Sequence, residues 1–72
     1  MTRNQQMEII TMNIPFMISN LEDSGMSLAA SGIQIIESSP TRYILMIHAV
    51  DQNNSESTFR YDAQEILDTI DA

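Results

Sequence analysis

The chain has 72 residues and a formal net charge of −7, with ten acids against three arginines, one histidine and no lysine, cysteine or tryptophan. That length allows one domain, 1–72, which buries only about 60% of its unfolded surface, and the lack of cysteine excludes disulfide scaffolds and thiolate metal sites. The charge argues against direct nucleic-acid binding and against anionic membranes, since both need clustered Lys and Arg, and it favours a basic protein partner.

The first predicted element is a helix from about Thr2 to Asp23. Met7, Ile10, Ile14, Met17 and Leu21 recur at intervals of 3, 4, 3 and 4, one apolar stripe down a helix. Thr2 is the natural N-cap and Ser24-Gly25 the stop. Pro15 removes the hydrogen bond to the Thr11 carbonyl and should bend the helix. The alternative is a strand from Met7 to Ile14 followed by a helix that begins at Pro15. Because the stripe continues in phase across the proline, the kinked helix is the better reading. Ile9, Met12 and Phe16 fall on the opposite side, where a surface helix is usually polar. Either the chain after Gly25 wraps this side, or these residues are candidates for self-association or for apolar anchors on a partner. The second is the slightly better reading, since so short a chain has little left to cover both faces.

Met26 to Gly32 is small and polar and reads as a connection, with room for a short helical turn. Ile33-Gln34-Ile35-Ile36-Glu37 is a first strand, closed by the turn residues Ser38-Ser39-Pro40-Thr41. Arg42 to Val50 is the strongest strand. Tyr43, Leu45, Ile47 and Ala49 form one face and Ile44, Met46, His48 and Val50 the other, so both faces are apolar, the mark of a central strand or one covered on two sides. After the polar loop Asp51–Glu56, Ser57–Tyr61 returns as a third strand. Asp62-Ala63-Gln64-Glu65 fits a capping box, and Ala63, Ile66, Leu67 and Ile70 form the apolar face of a terminal helix. The predicted fold is α+β: a small single domain, αβββα, with an antiparallel three-stranded meander packed against helices.

Catalytic equipment is sparse. No Ser/His/Asp or Cys/His set, phosphate-binding glycine loop or Schiff-base lysine is present. His48, the one candidate acid-base group, reads more simply as a half-covered strand residue. Glu22-Asp23 are sequential rather than facing. Asp51, Asn53, Ser55 and Glu56 lack the spacing of a calcium loop, and Met7, Met12 and Met17 are scattered around a helix rather than gathered as soft ligands. The expectation is a nonenzymatic chain with no cofactor and no metal. No targeting segment is convincing: Arg3 and Ala29-Ala30-Ser31 imitate a signal peptide, but Glu8, Asn13 and Asn20 interrupt the apolar region. A cytoplasmic protein is the default expectation.

The acids carry more information. From Asp51 onward Asp51, Glu56, Asp62, Glu65, Asp68 and Asp71 face Arg60 alone, a local charge of −5. Asp68 and Asp71 sit in the last turn of the terminal helix, where the macrodipole favours cations. Local violations without local gain often mark function, and an acidic face can occupy a basic groove that serves nucleic acid. The pattern of a helix, the strands at Ile33–Glu37, Arg42–Val50 and Ser57–Tyr61, and the acidic helix Asp62–Asp71 resembles small phage-encoded inhibitor proteins of the anti-CRISPR type that mimic DNA. That resemblance implies a noncatalytic inhibitor acting in a host cytoplasm on a nucleic-acid-binding protein. With only ten acids and 43% hydrophobic residues, an inhibitor with apolar anchors and an acidic rim fits equally well. The rival expectation is a structural or regulatory homodimer assembled through Ile9, Met12 and Phe16, with the acids serving solubility.

Overall fold

The computed structural model describes residues 1–71. They form helix α1 (Arg3–Asp23), strands β1 (Ser27–Ser39), β2 (Arg42–Val50) and β3 (Glu56–Asp62), and helix α2 (Ala63–Asp71). The expected αβββα order is therefore the observed one, and the sheet is an antiparallel meander with β2 in the centre.

Helix α1 is set by its ends. The Thr2 hydroxyl accepts from the Gln5 N–H at 3.1 Å, and the Gln5 side-chain oxygen accepts from the Thr2 N–H at 2.8 Å, a reciprocal box that satisfies two donors otherwise left free. At the other end Gly25, at φ 82°, lets the Gly25 N–H reach the Glu22 carbonyl and the Met26 N–H reach that of Leu21, the two bonds of a Schellman closure. Between them the helix runs through Pro15, which decides against a strand over Met7–Ile14. Pro15 and Thr11 are both exposed, so water can take up the carbonyl that the ring leaves without a helical partner.

The first strand differs from the expected one. β1 begins at Ser27, six residues before Ile33, and absorbs most of the segment read as a connection. Leu28 pairs with Ala49 and Ile33 with Ile47, so five steps on β1 oppose two on β2 and the extra residues bulge out. Gly32, at φ 65°, takes the left-handed conformation that this bulge requires. The small residues before it carry no alternation, and their strand state comes from pairing with Ala49 and Val50. β3 runs one residue further at each end than the expected Ser57–Tyr61.

Only one face of the sheet is covered. Leu45, Ile47 and Ala49 of β2 are buried with Ile10, Met17 and Leu21 of α1 and Ala63 and Ile66 of α2, and Ile33, Ile35, Phe59 and Tyr61 pack around them. Along β2 burial alternates residue by residue, as one-sided packing demands. A Cα extent of 14 Å in the thinnest direction leaves room for a sheet and a helix layer and nothing more. The second apolar face of β2, carrying Ile44, Met46, His48 and Val50, therefore has no layer over it.

The helix layer is pinned by a residue that apolar periodicity passes over. Gln6 is 7% exposed. Its side chain donates to the Thr41 carbonyl and accepts from the Tyr43 N–H at 3.0 Å. β3 pairing ends at Ile44–Asp62, so these two backbone groups have no strand opposite them and Gln6 stands in for one.

Candidate protein-binding surfaces

Several of the six C-terminal acids are occupied with local structure. Asp51 Oδ1 accepts from the Asn53 and Ser55 N–H groups at 2.8 and 3.0 Å and shapes the loop in which Asn54 adopts φ 63°. Glu56 accepts from the Ser31 hydroxyl at 3.4 Å. Asp62 Oδ1 accepts from the Glu65 N–H at 2.8 Å and the Glu65 carboxylate from the Asp62 N–H at 3.4 Å, completing the expected capping box. Arg42 adds an ion pair to Asp62 at 2.8 Å. Asp68 accepts from the Gln64 side chain at 3.0 Å, and Asp71 is exposed. β3 separates the acids into two groups: Asp51 and Glu56 lie at one end, Asp62 and Glu65 at the other, about 20 Å away.

The Asp62 carboxyl is held below the ordinary carboxylate range, first by the Glu65 N–H, which outweighs the upward push from burial, with Arg42 and then the Gln64 N–H adding lesser downward contributions. A depressed folded-state pKa means stability that is present above the unfolded value of about 3.9 and is lost as pH falls through the folded value. Asp62→Ala is therefore expected to cost about 0.5–2 kcal/mol at neutral pH, the usual cost of losing a cap. The difference from the parent should shrink in urea titrations below about pH 4.

Sequence reading missed a second set of acids. Glu22 and Asp23 end α1 as Asp68 and Asp71 end α2, and neither helix has a basic residue in its last turn. Both helix C-termini thus carry charge of the sign that their dipoles disfavour. The signal was legible: Glu22-Asp23 stand directly before the stop Ser24-Gly25. Glu8 adds an exposed acid to the outer surface of α1.

Charge is partitioned between the two sides of the sheet. Strand alternation places Arg60 and Glu56 on the uncovered side, where they cancel, while the Arg42–Asp62 ion pair, itself neutral, lies at the end of the sheet against the starts of both helices. The other eight acids and Arg3 account for the whole net charge of −7. Arg3 is itself engaged, 3.0 Å from Glu37, donating to the Tyr43 hydroxyl at 2.7 Å and lying over that ring at 5.3 Å. On the uncovered side Ile36 pairs with Ile44, and Met46 and Val50 continue the apolar strip. His48 lies among them with Nδ1 3.0 Å from the Thr58 hydroxyl, the local strand role expected of it.

The three apolar residues of α1 do not form one patch. Ile9 is partly buried and packs against the core, whereas Met12 and Phe16 are 70% and 42% exposed. A cleft of about 270 Å³ lies where both helices begin, lined by Gln6, Thr41, Arg42, Asp62 and Gln64. Its Gln6, Arg42 and Asp62 groups are committed to one another or to backbone. Among the described residues no group of three His or carboxylate side chains is spaced to hold a metal ion, and no helix is long and apolar enough to cross a membrane. Comparison with known proteins gives no matching family model, no matching curated protein and no matching solved structure.

Proposed function

We propose that this chain is a noncatalytic, cytoplasmic protein-binding module that docks its acidic helical side on a basic protein surface and thereby inhibits or modulates that protein. The observation that carries this reading is the placement of Glu22, Asp23, Asp68 and Asp71 in the last turns of the two helices, without a cation in either turn. Helix stability gains nothing from that placement, whereas a basic partner gains long-range attraction and orientation from it. Surfaces that bind nucleic acid are the natural partners, in the manner of the phage-encoded inhibitors that the chain resembles. Met12 and Phe16, exposed on α1, supply apolar anchors that a pure phosphate mimic would lack.

Asp68→Asn with Asp71→Asn tests this reading with a built-in control. Asn keeps the acceptor for Gln64 while removing charge that opposes the dipole. The variant is therefore expected to be as stable as the parent or more so, by about 0.3–1 kcal/mol per site. Capture of a basic partner by the tagged protein should nonetheless drop about tenfold, mostly through slower association. Undiminished capture would sink the proposal.

A further inference from the structure

We infer that the uncovered face of the sheet is the interface of a two-fold homodimer, with a second copy of this chain as its occupant. This goes beyond the partner reading above and does not rest on it, because it concerns the opposite side of the molecule. The core of the surface is Ile36 and Ile44, paired across β1 and β2, with Met46 and Val50 along β2. Ile36 is 41% exposed, on a strand whose inward neighbour Ile35 packs on the core. Gln34, Thr58 and Arg60 surround this strip, the arrangement of an apolar centre and a polar rim that interfaces share.

Charge selects the occupant. Two copies of a −7 chain repel when they approach through the helical sides, where Glu8, Glu22, Asp23, Glu65, Asp68 and Asp71 lie on α1 and α2. Arg60 and Glu56 cancel on the uncovered side, so it is the surface on which like molecules meet without net repulsion. A basic partner, by contrast, is drawn to the helices and has no electrostatic reason to choose this face. Glu56 and Arg60 are separate, opposite charges on one strand, the layout in which a two-fold operation can set each against its complement.

Size agrees. Three strands about 4.8 Å apart and a central strand rising about 3.3 Å per residue give a face on the order of 15 Å by 30 Å. Covering it on two copies removes on the order of 1,000 Å² of accessible surface, the lower bound for a specific interface and the size of a weak, reversible one. The union would add two further layers of burial to a chain whose own core is only two layers thick.

The test is sedimentation equilibrium of the full chain from about 1 μM to about 1 mM, the range in which a modest dimer dissociates. The expected result is a concentration-dependent dimer whose dissociation constant stays level or falls as salt rises, since salt screens the residual repulsion. Met46→Arg should raise that constant about 100-fold and leave the far-ultraviolet circular dichroism unchanged, because Met46 points away from the core. Ile44→Thr with Met46→Thr, which keeps strand propensity and charge, should weaken the dimer about tenfold or more and serves if the arginine variant fails to fold. Phe16→Asp should leave it intact. In a mixture of isotope-labelled and unlabelled protein, the Met46 methyl should show contacts that cross between copies. A monomer at every concentration would overturn the inference. So would a dimer that Phe16→Asp dissociates and the sheet-face variants do not, which would move the interface to α1.

Discussion

Leu45→Ala is expected to leave much of the chain unfolded under conditions where the parent is folded. Leu45 has no exposed surface, sits between Ile35 of β1 and Tyr61 of β3, and belongs to the cluster that receives both helices. Truncating a buried leucine costs about 2–5 kcal/mol, because transfer free energy is lost and the cavity collapses only in part. A 72-residue domain has on the order of 4–11 kcal/mol in total, so the loss is a large share of it. Urea unfolding should show the midpoint falling steeply with an unchanged slope. Its neighbour makes the prediction specific. Ile44, one residue away on the uncovered face, is half-buried, so Ile44→Ala should cost about 1–2 kcal/mol in the monomer, less than truncation of the fully buried Leu45. Equal costs at the two positions would mean that the face assignment is wrong, because one step along a strand exchanges the faces.

Gln6→Leu is expected to destabilise the chain as well, for a different reason. Leucine suits the burial of the site but can neither donate to the Thr41 carbonyl nor accept from the Tyr43 N–H. Thr41 is exposed and Tyr43 half-buried, so water can reach part of what Gln6 leaves, and a net loss of about 1–2 kcal/mol follows from the two hydrogen bonds after the apolar gain. The Tyr43 amide is the direct reporter. It should be protected from hydrogen exchange in the parent and exchange much faster in the variant, while the Leu45 amide keeps the protection of the global fold. Gln6→Glu keeps the acceptor and loses the donor, so it should retain part of the Tyr43 protection. An unprotected Tyr43 amide in the parent would remove Gln6 from this role.

These two residues mark what could and could not be read from the sequence. Leu45 was legible because period-two alternation over Arg42–Val50 is a local property. The helix caps were legible for the same reason, since Thr2, Gly25 and Asp62 act on neighbours within a few residues. Gln6 was not, because its role depends on where β3 ends, more than fifty residues later in the chain. Ser27–Ser31 were not, because their strand state comes from β2 and their own composition favours a loop. The two-sided apolarity of β2 was read as that of a central strand or of one covered on two sides, and the structure shows the first, with one face covered. The answer depends on the layer count, and both helices are used up on the same side. At the candidate site, Asp68 and Asp71 stood out because charge against a helix dipole is a local conflict. The equivalent pair Glu22-Asp23 was equally legible, since the predicted helix ends at Asp23, but reading it only as a candidate catalytic pair passes over its conflict with the helix dipole. The capping and loop-shaping duties of Asp62, Glu65 and Asp51 show that half of an acidic run can serve the fold itself.

The two sides of the molecule now have opposite physical chemistry. The helical side holds most of the acids and the exposed apolar side chains Met12, Phe16 and Ile70; the sheet side is neutral and apolar at its centre. Salt separates their uses, because screening weakens attraction between opposite charges and relieves repulsion between like ones. Dimerisation through the sheet should survive high salt, and docking of the acids should not. A dimer would also present two acidic sides at once, so a partner with two basic sites would be held more tightly than either contact alone provides.

The central claim is that the acidic helical side docks on a basic protein, and a salt titration of partner capture tests it most directly. Tagged parent and the Asp68→Asn, Asp71→Asn variant would be compared from about 0.05 M to about 0.5 M salt, across which the screening length falls from about 14 Å to about 4 Å. The account predicts that capture by the parent falls steeply with salt and that the variant binds more weakly with a shallower slope. Capture that is independent of salt and equal for the two proteins would contradict it.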